Sequence, residues 1–225
     1  MNDLPLVSCI MPTRNRTRFV ERAIEYYLKQ DYPNKELIIV EEETKSLYQD
    51  DPDNAICYLH SPDLIYKSIG EKRNAMCSWA DGELIAHWDD DDWHSPRRLS
   101  TQVAAMRAQG ASLCGLDRLV FYNGERAYLF QTVRRQWLAG GTLIYEKELW
   151  RKCPFTEVSN GEDTAFIDAA YKSGAKVAVL SDPSLYVGMI HKSNTTPHNI
   201  DAQWGGFSVD QVRNWIGEGA CSDSI

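Results

Sequence analysis

Four consecutive aspartates, Asp89 to Asp92, are the part of the sequence with the clearest capacity for chemistry. Adjacent carboxylates repel one another, so such a run is costly unless water solvates it or a cation neutralises it. The run follows the apolar segment Leu84–Trp88 and precedes Trp93, which ties it to the end of a strand. Hard oxygen ligands suit Mg²⁺ or Mn²⁺, so we expect a divalent-cation site here, with a solvated acidic turn as the alternative.

A second acidic motif, Asn160-Gly161-Glu162-Asp163, stands at the predicted start of a helix. Acidic residues in a first turn are favoured by the helix dipole and its free amides, so capping is one interpretation. Beside a metal site the motif also fits catalysis, because a carboxylate across a pocket can take a proton from a substrate hydroxyl.

Two further polar segments follow apolar runs. Leu6–Met11 leads into Pro12-Thr13-Arg14-Asn15-Arg16, and Glu36–Val40 leads into Glu41-Glu42-Glu43. Ligands of open α/β sheets bind beyond the carboxyl ends of the strands. We therefore expect these segments and the aspartate run to meet at one edge of a sheet.

The elements that must position these residues alternate between strands and helices. Helices are predicted over Phe19–Gln30 and Ser68–Ala80, and from Pro96 to Gln109. A further strand is predicted over Ala55–Leu59. This alternation predicts βαβ units, and hence an α/β fold with a mainly parallel central sheet flanked by helices.

The second half of the chain is more irregular, and we expect one domain overall. Its predicted elements are a hairpin over Leu119–Gln131 around Asn123-Gly124, strands over Gly141–Tyr145 and Val177–Leu180, and helices over Gly161–Ser173 and Val209–Ile216.

Composition excludes several classes of protein. The 225 residues carry 24 Lys+Arg against 32 Asp+Glu, a net charge of −8, so general nucleic-acid binding is not expected. No run approaches the length of a transmembrane helix, and the N-terminal segment lacks the basic start and apolar core of a signal peptide. We expect a cytoplasmic protein, free or peripheral to the membrane; its oligomeric state is left open.

In order and spacing, these motifs resemble the family 2 glycosyltransferases, which have the GT-A nucleotide-diphospho-sugar transferase fold. The resemblance covers residues 6 to about 180 and rests on VSCIMPTRNR, ELIIV, GEKRNA, ADGELIAHWDDDDW, GGTLI and GED. Glu41-Glu42-Glu43 stands where the family has two aspartates. The resemblance implies one Rossmann-like GT-A domain over 1–225, with nucleotide and metal held by residues to about 110 and the acceptor by the rest.

The resemblance also implies a role for each matching residue. Nucleotide contacts would come from Pro12, Thr13, Arg14, Glu42, Arg73, Asp89 and Asp90. Metal ligands would be Asp91, Asp89 and the late histidine His191. Asp163 would be the catalytic base, with Glu162 beside it.

The implied activity is an inverting, Mn²⁺- or Mg²⁺-dependent transfer of a sugar from a nucleoside-diphosphate sugar to an acceptor hydroxyl. A UDP-sugar is the favoured donor, a GDP-sugar the second choice, and a growing glycan or surface polysaccharide the expected acceptor. A nucleotidyltransferase and a non-catalytic nucleotide- or carbohydrate-binding module are the alternatives. Trp88, Trp93 and Trp137 are candidates for stacking on a sugar or base, against a role in the core.

Overall fold

Apolar runs in this chain form strands, and the segments between the first of them form helices with one buried face. The structure is a computed structural model that describes residues 4–42, 49–60, 65–131, 136–192, 194 and 204–217. The strands are β1 (Val7–Thr13), β2 (Lys35–Glu41), β3 (Ile56–His60), β4 (Leu84–His87), β5 (Trp93–His94), β6 (Leu113–Leu116), β7 (Arg118–Tyr122), β8 (Ala127–Gln131), β9 (Ile144–Glu146), β10 (Val177–Leu180), β11 (Tyr186–Met189) and β12 (Trp204–Phe207). The helices are α1 (Thr17–Leu28), α2 (Ile69–Trp79), α3 (Arg98–Gln109), α4 (Lys147–Lys152), α5 (Glu162–Lys172) and α6 (Val209–Ile216).

Seven strands form the main sheet, in the order β10-β6-β9-β4-β1-β2-β3. β9 runs antiparallel to both of its neighbours, and every other pairing in this sheet is parallel. The predicted α/β fold with a mainly parallel central sheet is therefore confirmed. Because β1, β2 and β4 are neighbours and parallel, the segments that follow them leave the sheet at the same edge.

A second sheet of five strands has the order β12-β8-β7-β11-β5. The predicted hairpin over Leu119–Gln131 is present as β7 and β8, with Gly124 at a φ of 90° in the connection. β5 follows the aspartate run directly and pairs antiparallel with β11, so that His94 lies opposite Tyr186. The end of the aspartate run is thus fixed to the second sheet.

The strand predicted over Gly141–Tyr145 is wrong in its first half. Gly140–Thr142 forms a single 3-10 turn, and β9 begins only at Ile144. The turn closes because the amide and hydroxyl of Thr142 both donate to the carbonyl of Ala139, at 3.0 and 2.7 Å. Extended backbone cannot make these local bonds.

Two apolar layers cover the faces of the main sheet. Trp88 lies in the first layer with no exposed surface; its indole N–H donates to the carbonyl of Ala23, and its ring stacks on His94 at 3.9 Å. Trp93 is buried as well. The interpretation of these two rings as platforms for a sugar or base is therefore wrong. Within the described residues, no helix combines the length and the apolar character needed to cross a membrane.

Candidate active site

A cavity of about 860 Å³ lies where the segments after β1, β2 and β4 meet residues of the second sheet. The predicted meeting of these polar segments at one edge is present in the structure. The predicted site residues that line the cavity are Pro12, Thr13, Arg14, Glu42, Arg73, Asp89, Asp90, Asp91, Glu162 and Asp163. His191 reaches the same site through Asp91.

Asp90 and Asp91 both form an ion pair with Arg16. Arg16 contacts Asp90 at 2.9 Å and Asp91 at 2.8 Å through the same guanidinium nitrogen. Asp90 also accepts a hydrogen bond from the hydroxyl of Thr13 at 2.6 Å. Burial, with the charge of Asp91, raises the pKa of Asp90 to about 6 although Arg16 opposes the shift.

Asp91 is the most strongly stabilised anion of the run. Its carboxylate lies 3.1 Å from Nε2 of His191, in addition to Arg16. Burial alone would raise the pKa of Asp91, but the hydrogen bond with His191 and the charge of Arg16 outweigh it and lower the pKa. Asp91 and His191, two of the three predicted metal ligands, are therefore in contact.

Asp92 and Asp89 have different surroundings. Asp92 accepts the Tyr186 hydroxyl and, at 2.7 Å, the amide of Met189, which fastens the run to β11. Asp89 lies 3.5 Å from both Arg73 and the hydroxyl of Tyr186. Burial and the neighbouring carboxylates raise the pKa of Asp89, and raise that of Asp92 well above its usual range.

The donor set fits a divalent cation of the Mg²⁺ or Mn²⁺ type. Burial, and after it the charges of the neighbouring carboxylates, raise the pKa values of Asp89 and Asp92, and a cation held between such carboxylates would favour their ionised forms. Within the described residues, no three His, Cys, Asp or Glu side chains converge as a complete metal centre. Mg²⁺ commonly takes one or two carboxylates and completes its shell with water and substrate phosphates. Asp89 and Asp91 match that requirement.

Glu162 and Asp163 differ in their partners. Glu162 is buried and paired with Arg73, the cation that also faces Asp89. Asp163 lies at the cavity, and its carboxylate accepts the amide of Thr164 at 2.6 Å. Arg73 therefore links the start of α5 to the aspartate run, while the Asp163 carboxylate stays beside the cavity.

Two consecutive glycines bring the two acidic motifs together. A Cβ atom placed on Gly140 would overlap the carboxylate of Asp163. A Cβ placed on Gly141 would overlap the carboxylate of Asp89 and the hydroxyl of Tyr186. Only residues without a side chain allow both carboxylates to approach this turn.

A buried layer of polar residues supports the turn from behind. Arg98 has no exposed surface and donates to the carbonyls of His87 and Gly141, at 2.9 and 3.0 Å. Arg98 also donates to Nδ1 of His94 at 2.6 Å, so Nε2 of His94 carries the proton and donates to the carbonyl of Asp89. Burial and the charge of Arg98 lower the pKa of His94, which keeps this ring neutral. One guanidinium thus orients both the aspartate run and the glycine turn.

Several residues of the site were missed by sequence reasoning. Arg16 stands in the segment after the first strand, and its bridging role had no local signal. Lys72 is buried, donates to the carbonyl of Thr13 at 2.7 Å and pairs with Glu42 at 3.0 Å. Tyr186 is part of no motif that the sequence reveals. Lys72 could have been found from the sequence, because it directly precedes the predicted site residue Arg73 in a helix that begins at the sheet edge.

The chain is similar in sequence to proteins of known family. Residues 8–167 match the family model described as glycosyl transferase family 2. WcaA of Escherichia coli, named as a candidate glycosyl transferase of colanic acid biosynthesis, is 39% identical over 112 residues, which are 46% of this chain and 39% of WcaA. A Campylobacter jejuni protein named GalNAc(5)-diNAcBac-PP-undecaprenol beta-1,3-glucosyltransferase is 33% identical over 44% of this chain and 33% of its own length. The matched stretches are thus less than half of each relative.

Solved structures share the fold. A crystal structure of a Staphylococcus aureus TarS fragment in complex with UDP matches with a TM-score of 0.67 and 20% identity, over 82% of this chain and 60% of that one. The mannosyltransferase PcManGT of Pyrobaculum calidifontis, in complex with GDP-Man and Mn²⁺, matches with a TM-score of 0.65 and 16% identity, over 85% and 59% of the two chains. Both are GT-A structures, in agreement with the fold of this chain.

Proposed function

The chain belongs to glycosyl transferase family 2, and from this premise we propose that it transfers a sugar from a nucleoside-diphosphate sugar to an acceptor hydroxyl with inversion. The observation that carries the proposal is the contact of Gly140 with the Asp163 carboxylate and of Gly141 with the Asp89 carboxylate. These contacts bring the start of α5 and the aspartate run to one turn at the cavity, as transfer between two bound substrates requires.

The donor side of the site has the groups needed to hold a diphosphate. Asp89 and Asp91 would hold Mn²⁺ or Mg²⁺, with His191 against Asp91, and the cation would offset the charge that develops on the leaving nucleoside diphosphate. Arg16 favours the ionised form of Asp91, and Arg73 opposes the rise in the pKa of Asp89 that burial causes.

The nucleoside would lie along the segments after β1 and β2. Pro12, Thr13 and Arg14 line the cavity there together with Glu42. Lys72 fixes this corner, because it joins the carbonyl of Thr13 to the Glu42 carboxylate. The nucleotides in the GT-A structures, UDP and GDP-Man, support a donor of this class, and the UDP complex favours a UDP-sugar.

Asp163 is the residue we assign as base. Its carboxylate would accept the proton of the acceptor hydroxyl while that oxygen attacks the anomeric carbon and the bond from this carbon to the diphosphate oxygen breaks. Glu162 is the weaker candidate, because its carboxylate is paired with Arg73. The relatives named for colanic acid and undecaprenol-linked glycan support a glycan acceptor in surface polysaccharide synthesis.

The test is a nucleotide-release assay on a panel of UDP- and GDP-sugars with Mn²⁺ and a mixture of oligosaccharide acceptors. Wild type should release nucleoside diphosphate. Asp163→Asn should lower the rate by about 10²- to 10⁴-fold, the usual contribution of a general base, without weakening nucleotide binding. Asp91→Ala should lower both the rate of release and the affinity for the nucleotide.

Asp53→Asn is the matched control, since Asp53 is exposed on a 3-10 turn outside the cavity. Undiminished rates in both Asp163→Asn and Asp91→Ala would overturn the proposal. Release of pyrophosphate from a nucleoside triphosphate would indicate a nucleotidyltransferase instead.

A further inference from the structure

Four half-buried aromatic side chains line the second-sheet side of the cavity: Phe121, Phe130, Trp137 and Trp204. Phe130 is their centre, with ring centroids 5.0 Å from Trp204, 5.3 Å from Trp137 and 6.4 Å from Phe121. Phe121 and Trp204 are 4.9 Å apart. These four rings form one continuous surface, which we call the aromatic wall.

Strand register places three of these rings on one face. Phe130 of β8 lies opposite Leu119 of β7 and opposite Trp204 of β12. Phe121 follows Leu119 by two residues and so points to the same side of the sheet. Gly188 of β11 lies opposite Phe121, and a Cβ there would overlap the ring, so the ring lies close over the glycine backbone.

The aromatic wall adjoins the acids of the proposed reaction. Phe121 and Trp137 pack against a small buried cluster that includes Ala139 and Tyr186. Ala139 precedes the turn that contacts Asp163, and the hydroxyl of Tyr186 bonds Asp92. The aromatic wall and the Asp163 carboxylate therefore line the same cavity and are connected through Ala139 and Gly140.

Basic side chains line the part of the cavity that the segment after β1 and the start of α2 contribute. The described basic residues of the lining come from the first third of the chain: Arg14, Arg16, Lys67, Lys72 and Arg73. These cations suit a diphosphate. The aromatic wall suits a ligand with an apolar face, since large rings gain from dispersion contact and from C–H groups set against their electron-rich faces.

We propose that the aromatic wall is the acceptor subsite and that it takes the C–H face of a pyranose ring, so that the acceptor is a sugar residue and not a polyol phosphate. This inference rests on the proposed function and names the acceptor class for it. One face of a pyranose presents C–H groups while its hydroxyls point outward from the ring edge. Packed on the wall, such a ring offers an edge hydroxyl to Asp163.

Saturation-transfer NMR with simple probes tests the inference at the millimolar affinities expected of a single sugar. The probes are methyl β-D-glucopyranoside, methyl β-D-galactopyranoside and glycerol 1-phosphate, with UDP and diamagnetic Mg²⁺ present. The proteins are wild type, Phe130→Ala, Trp204→Ala and the control Trp79→Ala, whose ring is 41% exposed on α2 and outside the cavity. Circular dichroism checks that each variant folds.

We expect saturation of the ring C–H protons of at least one pyranoside in wild type and Trp79→Ala. The signal should fall about five-fold or more in Phe130→Ala and Trp204→Ala, on the order expected for the loss of one stacked ring. Equal signals in wild type and both wall variants, or stronger saturation of glycerol 1-phosphate than of the pyranosides, would overturn the inference. A UDP–Mg²⁺ titration of the same samples decides the proposed nucleotide site separately, so the two failures are distinguishable.

Discussion

The aspartates of the run differ in the residues that they contact. Asp90 and Asp91 share Arg16, Asp91 contacts His191, and Asp92 is bonded to β11. The acidic run and its cation-binding character could be predicted from residue type alone. Its partners could not, because Arg16 lies 74 residues before Asp90 and His191 lies 100 residues after Asp91. Such pairs are fixed only when distant strands align.

The ion pair of Arg73 and Glu162 gives a prediction at this scale. Both side chains are buried, and removing one partner of a buried pair typically costs about 3–5 kcal/mol because the other charge is left uncompensated. Arg73→Gln and Glu162→Gln should each lower the free energy of unfolding by about this much. The double variant should cost clearly less than the sum, as measured in a urea-denaturation cycle.

The pair of Arg151 with Glu148 is the matched control, since these side chains are 53% and 66% exposed. An exposed pair of this kind contributes about 0–1 kcal/mol, so its cycle should be nearly additive. Additive effects at Arg73 and Glu162 as well would contradict the link between α5 and the aspartate run.

The residues of the candidate site stand at the ends of strands and helices. The sequence pattern predicted β1, β2, β4 and the helices between them, since long apolar runs and breakers are local signals. The sequence predicts a strand from Gly141, where the structure has the turn Gly140–Thr142, because no local pattern shows that two acids from other segments approach this turn. Short strands such as β5 and β11 have too few residues to show a period.

Substitution in the glycine turn should separate catalysis from folding. In Gly140→Ala, the new methyl group would displace the Asp163 carboxylate. We expect turnover of the nucleotide sugar to fall about 10²-fold, which is the scale of a misplacement near 1 Å. Gly206→Ala in β12 should keep its rate, because a Cβ there meets no atom within 4 Å. Equal rates for the two variants would show that the turn does not set the position of the base.

The layer behind the turn gives a prediction on stability. Arg98→Met removes the donor to the carbonyls of His87 and Gly141, and each buried acceptor left without a partner costs about 1–3 kcal/mol. With two such acceptors, we expect the free energy of unfolding to fall by roughly 2–6 kcal/mol in chemical denaturation. Arg97→Met, one residue earlier and exposed, should change it by less than about 0.5 kcal/mol. Matching losses for the two arginines would refute the supporting role.

At the scale of the whole molecule, two sheets frame one cavity. The mainly parallel sheet and the helices beside it supply the acids and the basic residues, and the second sheet supplies three of the four rings of the aromatic wall. The alternating first half predicted the first sheet, while the second sheet depends on pairings such as β7 with β11, which no local pattern specifies. The net charge of −8 includes the four aspartates at the cavity. Glu41, by contrast, is the buried last residue of β2, and Glu43 lies outside the described residues.

Cation-dependent nucleotide binding is the central claim, and thermal unfolding measures it directly. Wild type is heated with UDP, GDP or CDP, each with and without Mn²⁺, beside Asp91→Asn and the control Asp53→Asn. A ligand at about 100 times its Kd adds about 2.7 kcal/mol, which for a chain of this size raises the Tm by roughly 5–10 °C.

We predict this rise for one nucleotide together with Mn²⁺, in wild type and Asp53→Asn, and little rise for either ligand alone. Asp91→Asn should lose it, because the carboxylate that would hold the cation is gone. An equal rise without Mn²⁺, or a full rise in Asp91→Asn, would contradict the account.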